Sequence, residues 1–417
     1  MTDRSVLKDS QFRKLWLGQG ISVFGDQFTG LAIPVLAVTI LHATEWQMGV
    51  LNAFGTAAFL LVGLIAGAWV DRWLKRRVMI VADLIRFATL LSIPILWFAG
   101  QLQIWHLFLV AGIVGVAAVF FDVAYQSYIP ILVSKEHIGP ANSYLETTNQ
   151  VAGVAGPSVV GFLLTLVKAP VLLVIDSASY LVSVLALSRI RDQETPKPAT
   201  ERRPLRVEIA EGIRFVWNQP LIRTISFTTA TSNLFSSMIF TLMPLYVLRT
   251  LGISTALWGA MMSAAAIGGL LGASATGKLI KLVGEGPLIA VSALVSGLAL
   301  GLVPLAASMS QTAAVVTLTI AEFVISFTVL TYNITQVTAR QKLCPKPLLG
   351  RMNASIRFFV WGVMPIGSLA AGGLATAFGT VSVLWIGFAG TLAAAGFVLF
   401  SPLARLRELP SVPQEID

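Results

Sequence analysis

Residues Gly67-Ala-Trp-Val-Asp-Arg-Trp-Leu-Lys-Arg-Arg77 decide how this chain is read, because they set a knot of charge between two long apolar runs. No charged side chain occurs from Trp46 to Val70; then one acid, Asp71, and four bases, Arg72, Lys75, Arg76 and Arg77, arrive together. A lipid core tolerates neither this cluster nor exposed irregular backbone, so the stretch forms a short cytoplasmic hairpin between two spanning helices. Gly67, four residues before Asp71, stands where a helix end packing closely on a neighbour needs the absence of a side chain.

The composition around the hairpin agrees. Of the 417 residues, 56% are hydrophobic and 12% charged, and the mean hydropathy is +0.80, whereas a soluble domain carries roughly 25% charged residues. Each spanning helix needs roughly 20 apolar residues. Apolar runs predict twelve spans, near 14–40, 46–70, 78–98, 104–126, 141–167, 170–188, 221–248, 255–280, 286–307, 312–336, 352–377 and 380–400. Of the 29 Lys and Arg, 24 fall on one side of this topology and only Lys168 and Arg249 in loops on the other. The positive-inside rule then predicts a multi-pass membrane protein with both termini in the cytoplasm. That placement also accounts for the net charge of +9 without a nucleic-acid partner. A single cysteine, Cys344, excludes an intrachain disulfide framework.

A second pattern is a repeat. A shift of 210 residues pairs Arg13 with Arg223, Ser22 with Ser232, Pro34 with Pro244, Gly49 with Gly259, Gly67 with Gly277, Pro94 with Pro304 and Gln126 with Gln336. A shift of 211 pairs Asn142 with Asn353, Gly156 with Gly367 and Gly161 with Gly372. A nearly constant offset across several helices predicts two six-helix halves in parallel orientation. The expected domains are an N-terminal bundle over 1–190, a cytoplasmic linker over 191–220 and a C-terminal bundle over 221–417. Within the linker, apolar residues from Leu205 to Trp217 recur at helical spacing, which predicts an interfacial amphipathic helix.

The hairpin resembles the loop-2/3 signature of the major facilitator superfamily, Gly-x-x-x-Asp-Arg-x-Gly-Arg-Arg. It matches at Gly67, Asp71, Arg72, Arg76 and Arg77 and departs at Leu74 and Lys75. The resemblance implies an all-α integral membrane protein with twelve transmembrane helices in two pseudo-symmetric six-helix bundles. The tracts Phe121–Pro130, Ala141–Glu146, Gly156-Pro157 and Glu211–Trp217 are similar to the macrolide-efflux and enterobactin-exporter branch, to which lysophospholipid transporters are related. The family's pattern further implies that Asp71 caps the eleventh span and that the base at position 75 reaches the acid Asp122. A lysine at that base position lacks the bidentate fork of arginine.

In this family spans 1, 4, 7 and 10 line a midplane cavity, and spans 7 and 10 carry Asn233, Tyr332, Asn333 and Gln336. Interhelical hydrogen bonding is the competing reading for such side chains. Asp26 in span 1 and Glu322 in span 10 are the stronger candidates for proton coupling or for holding a cationic substrate, since a carboxylate at the bilayer centre costs roughly 2.5–3.5 kcal/mol. Glu146 and Arg357 occupy equivalent places in the two halves and suggest gate latches. Asp83 and Arg86, three apart on span 3, are expected to form a local ion pair. Asp176 in span 6 is expected to be structural.

Residues Gly272–Lys278 imitate a phosphate loop, but Leu279 stands where Ser or Thr is required and no strand precedes it. His42, His106 and His137 come with no metal or nucleophile cluster, so no enzyme, metal site or cofactor is expected. The span from Trp105 to Phe121 holds no arginine, which leaves proton coupling to another arrangement. The reading is a monomeric secondary transporter in the lipid bilayer, exporting a small amphipathic or lipophilic molecule against proton entry. A lysophospholipid or other small-molecule translocator without proton coupling, and more remotely a membrane ligand sensor, remain alternatives.

Overall fold

The structure, a computed structural model, describes residues 6–70, 72–191, 194, 205–345 and 348–410. The helices are α1 (Ser10–Thr39), α2 (Glu45–Val70), α3 (Lys75–Phe98), α4 (Ile104–Leu132), α5 (Ile138–Leu166), α6 (Ala169–Ser188), α7 (Leu205–Asn218), α8 (Pro220–Leu245), α9 (Thr255–Val283), α10 (Glu285–Leu300), the short α11 (Leu302–Leu305), α12 (Gln311–Leu343), α13 (Leu349–Phe378) and α14 (Thr380–Leu399). No strand occurs among the described residues, and twelve helical segments are long and apolar enough to cross a membrane. They are the twelve expected spans, the ninth running from α10 into α11; α7 is the helix expected in the linker.

Local chemistry sets the boundaries. Asp9 caps α1, its Oδ1 accepting from the backbone N–H groups of Gln11 at 2.7 Å and Phe12 at 3.4 Å. Pro220 opens α8, where its missing N–H costs nothing. Pro244 precedes a π-turn, Tyr246–Thr250, that ends that span. Gly284 alone separates α9 from α10; its φ of +95° suits only a residue without Cβ, and a methyl there would lie 2.6 Å from Arg407 Cα.

The chain divides into two compact units. Unit 1 comprises Met1–Ala43, Phe54–Thr200 and Ser254–Ser263; unit 2 comprises Thr44–Ala53, Glu201–Ile253 and Ala264–Asp417. The first turns of α2 therefore belong to unit 2, and the first turns of α9 to unit 1.

In unit 1, α1 lies along α6 and α5, and α3 packs on α4 and α6. Phe12, Leu15, Met79, Phe121 and Tyr128 fill its core. Close approach needs small residues: a methyl on Gly18 would lie 2.6 Å from Ala186 Cβ. The first turns of α9 are seated on α5. A Cβ on Gly259 would stand 2.2 Å from Pro157 O and 3.0 Å from Gly161 Cα, and Ser263 Oγ accepts from the backbone N–H of Ser158 at 3.1 Å.

In unit 2, α8 packs on α13 and α14, and α10 on α12 and α14. The first turns of α2 are seated on α13: a Cβ on Gly49 would stand 2.7 Å from Ser368 O and 3.0 Å from Gly372 Cα. Asn52 Nδ2 donates to Thr241 Oγ1 at 2.6 Å and to Ser368 Oγ at 3.2 Å. Gly49 and Gly259 are repeat-mates, as are Gly161 and Gly372, so the same glycine-on-glycine seam is built twice. The linker helix α7 is docked on α13 through the Glu211–Arg351 ion pair, the bare Cα of Gly212 and Val216 against Met352 and Ile356.

Each unit also ties the segment that follows its sixth span back to the start of its third. In unit 1, Glu194 Oε1 accepts from the backbone N–H of Lys75 at 2.8 Å and lies 3.4 Å from Lys75 Nζ, so a carboxylate stands at the positive end of α3. In unit 2, the N–H groups of Glu285 and Gly286, opening α10, donate to Arg407 O and Leu406 O, and Glu285 also pairs with Lys342.

Candidate functional site

A dense polar cluster inside the spans lies in unit 1, where α1, α3 and α6 meet. Asp26 in α1 accepts a 2.6 Å hydrogen bond from the Tyr180 hydroxyl of α6. One turn earlier on α6, Asp176 is fully buried; its Oδ2 accepts from Thr29 Oγ1 of α1 and its Oδ1 from Ser179 Oγ at 3.1 Å. Asp83 in α3 is also fully buried, with Oδ1 3.4 Å from Arg86 Nη1. The Arg86 guanidinium carbon stands 4.8 Å from the centre of the Phe121 ring and 5.5 Å from that of Tyr180. Three carboxyls thus share one guanidinium, with Asp26 and Asp176 within electrostatic reach of each other and of Arg86. Asp83 Oδ2 and Arg86 Nε are buried without a hydrogen-bond partner, which leaves the cluster with unspent donor and acceptor capacity.

Glycine makes this approach possible. A Cβ on Gly25 would fall 2.1 Å from Ser179 Oγ and 2.4 Å from Asp176 Oδ1. On the other side of Gly25 opens an apolar groove of about 500 Å³ between α1, α5 and α6, lined among others by Trp16, Phe24, Phe28, Thr148 and Ser179. Ser179 touches both groove and acid, so a molecule in the groove lies one side chain from the cluster.

Asp26, Asp83 and Arg86 were legible as candidates in the sequence; Asp176 and Tyr180 were not. Asp176 is expected to be structural because α6 stands outside the expected cavity, and the α1–α6 packing sets it within electrostatic reach of Asp26. Spacing carried a signal: Asp176, Ser179, Tyr180 and Ser183 recur three to four apart and share one helix face.

In unit 2 the expected polar row is split. Tyr332 hydroxyl is 2.7 Å from Thr229 Oγ1, linking α12 to α8. Asn233 Nδ2 donates to Val360 O of α13 at 2.8 Å, so this side chain serves helix packing. Gln336 is buried with Oε1 unpartnered, its Nε2 3.5 Å from Asn333 Oδ1, and Asn333 is exposed. Glu322 is half-buried on α12, apart from these groups.

Asp71 lies outside the described residues, and Gly67 is placed only as part of α2. Arg72 is exposed, and Arg76 Nη1 donates to Ile190 O at 2.6 Å. Asp122 is exposed at its place on α4. Glu146, of unit 1, accepts from Gln150 Nε2 at 2.6 Å, and Arg357, of unit 2, is exposed. Beyond the last turn of α12, burial pushes the Cys344 thiol up to about 11.

Twelve spans, a twofold repeat and charge buried between helices define a polytopic membrane transporter. The Major Facilitator Superfamily sequence profile matches residues 15–365, and the chain belongs to that family. It is 25% identical over 231 residues to the multidrug efflux pump Tap of Mycolicibacterium fortuitum, covering 53% of this chain and 56% of Tap. It is 22% identical over 181 residues to macrolide efflux protein A of Streptococcus pyogenes, covering 43% of this chain and 44% of that protein. The chain thus spans about half the length of the curated relatives it matches. Among solved structures, a bacterial homologue of the iron transporter ferroportin in an inward-facing state superposes with TM-score 0.76 at 16% identity, over 96% of this chain and 100% of that one. The nucleoside transporter NupG superposes with TM-score 0.73 at 12% identity, over 94% and 98%. These two likenesses concern the fold.

Proposed function

We propose that this transporter exports a small amphipathic or lipophilic compound, of the drug, macrolide or siderophore kind, in exchange for protons. The observation that carries the reading is the meeting of Asp26, Asp83 and Asp176 around the single base Arg86 inside the spans. Full ionisation would leave two uncompensated negative charges away from water, so the cluster is suited to holding exchangeable protons. The adjoining groove is apolar and aromatic, which favours a lipophilic cargo over a sugar or an amino acid. The likeness to Tap and to macrolide efflux protein A points the same way.

In this reading the two glycine seams, Gly49 on Gly372 and Gly161 on Gly259, part and re-form during alternating access. Asp71, Lys75, Arg76, Asp122, Glu146 and Arg357 contribute to closure on the opposite, cytoplasmic side. Glu322, Tyr332, Asn333 and Gln336 supply polar groups from the second half. The test is purified, monomeric protein in liposomes with an imposed pH gradient and a lipophilic cationic dye or a macrolide as cargo. Accumulation driven by the gradient and abolished by a protonophore supports the reading. Downhill flux indifferent to the gradient replaces it with the uncoupled translocator.

A further inference from the structure

The four bases of the α2–α3 hairpin are not used alike. Lys75 is engaged by Glu194 and Arg76 by the Ile190 carbonyl. Arg72 and Arg77 are exposed and, among the described residues, make no hydrogen bond or ion pair. Both stand at one end of a groove of about 830 Å³ between α3 and α4, whose apolar walls include Val81, Ile85, Ile113 and Val116. No acid lines it. Val81, Ile85 and Ile113 are 54%, 41% and 45% exposed although they lie within spans, so this face looks into hydrocarbon. At the charged end, Trp69, Trp73 and Phe120 gather, the two indoles 5.8 Å apart and Phe120 6.2 Å from Trp69 and 6.4 Å from Trp73. Aromatic rings at that depth mark the headgroup level.

We propose that this groove binds an anionic glycerophospholipid from the leaflet that holds the hairpin. One acyl chain lies along α3 and α4, and the phosphate is held by Arg72 and Arg77. The lining carries an apolar trough with two unspent guanidinium groups at its polar end, the order in which a phospholipid presents its own parts. Guanidinium pairs phosphate oxygens through parallel N–H donors, and basic pockets between spans suit lipid headgroups. Its described lining carries bases and apolar side chains and no acid, which sets it apart from the carboxylate cluster.

The test is native mass spectrometry of the full-length protein after detergent washing, with phosphatidylglycerol or phosphatidylcholine of identical acyl chains added back. Expected is one tightly retained phosphatidylglycerol and weaker phosphatidylcholine. Each guanidinium is worth roughly fivefold, so Arg72→Gln with Arg77→Gln lowers phosphatidylglycerol affinity by roughly 25-fold. Ile113→Trp, which fills the trough and leaves both charges, lowers retention of phosphatidylglycerol as well. Equal retention of the two lipids overturns the proposal, as does an unchanged affinity in the double variant. Loss in the double variant with full retention in Ile113→Trp overturns it too, because headgroup attraction alone would then suffice. Inorganic phosphate at equal concentration is expected not to displace the lipid; displacement would identify a phosphate site instead. Circular dichroism and monodisperse elution show that each variant is folded.

Discussion

Gly259→Ala probes the packing of α9 on α5 with the smallest change available. The added methyl carbon would lie 2.2 Å from Pro157 O and 3.0 Å from Gly161 Cα, both backbone atoms that no rotamer change can move. Ordinary contact needs the helices to part by roughly 1 Å, and overpacking of this kind costs about 1–3 kcal/mol. If the seam opens during transport, that cost falls on the packed state alone, and the equilibrium moves away from it by about 5- to 150-fold. The readout is alkylation of Ser263→Cys, a position 8% exposed in the packed seam, by a membrane-impermeant maleimide. The native Cys344 is buried and its thiol is pushed up to about 11, so it contributes little background. Labelling should accelerate by the same factor, and Gly49→Ala, the repeat-mate, should act in the same direction. Gly30→Ala is the control, because a methyl there meets nothing within 4 Å. Equal labelling rates in Gly259→Ala and Gly30→Ala would refute the claim that the glycine seam holds this state closed.

Other consequences follow from the same geometry. Gly25→Ala drives a methyl into Ser179 and Asp176 and should lower thermal stability by about 1–3 kcal/mol, with coupled transport lost even where folded protein remains; a wild-type melting curve would count against the tight α1–α6 approach. Glu194→Ala removes the carboxylate from the start of α3 and should cost about 0.5–2 kcal/mol, read as a lower melting temperature in detergent, whereas Glu194→Gln keeps an acceptor and should lose less. Because its thiol is shifted upward, Cys344 carries on the order of a hundredfold less thiolate at neutral pH than an exposed cysteine. Its alkylation should therefore rise with pH towards 11; a plateau near pH 9 would show that burial does not govern this thiol.

The twelve spans were legible because lipid imposes a single demand, an apolar stretch of fixed length, that residues such as those from Trp46 to Val70 meet without ambiguity. The repeat was legible for a related reason: Gly49 and Gly259, and Gly161 and Gly372, recur at nearly the same offset, 210 and 211 residues, because close backbone approach admits no other residue. What the offset did not reveal is that mates pair crosswise, Gly49 with Gly372 and Gly259 with Gly161, since partner choice depends on three-dimensional packing. The carboxylate cluster was half visible. Asp26 and the Asp83–Arg86 pair follow from position and spacing, but Asp176 and Tyr180 join them only through the rotation of α6 about its axis. Glu194 was invisible because it caps a helix 119 residues away in sequence, and a charge in a linker otherwise reads as solvated. Asn233 is expected among the cavity residues from its place on the seventh span; that its amide donates to a backbone carbonyl of α13 is not legible in the sequence.

Separating transport from coupling tests the central claim most directly. In proteoliposomes, Asp26→Asn and Asp176→Asn would each be measured for cargo exchange without a gradient and for accumulation driven by a pH gradient. The proposal that the cluster carries the exchanged protons predicts that exchange persists while pH-driven accumulation disappears in both variants. Accumulation at the wild-type level in either variant would contradict it.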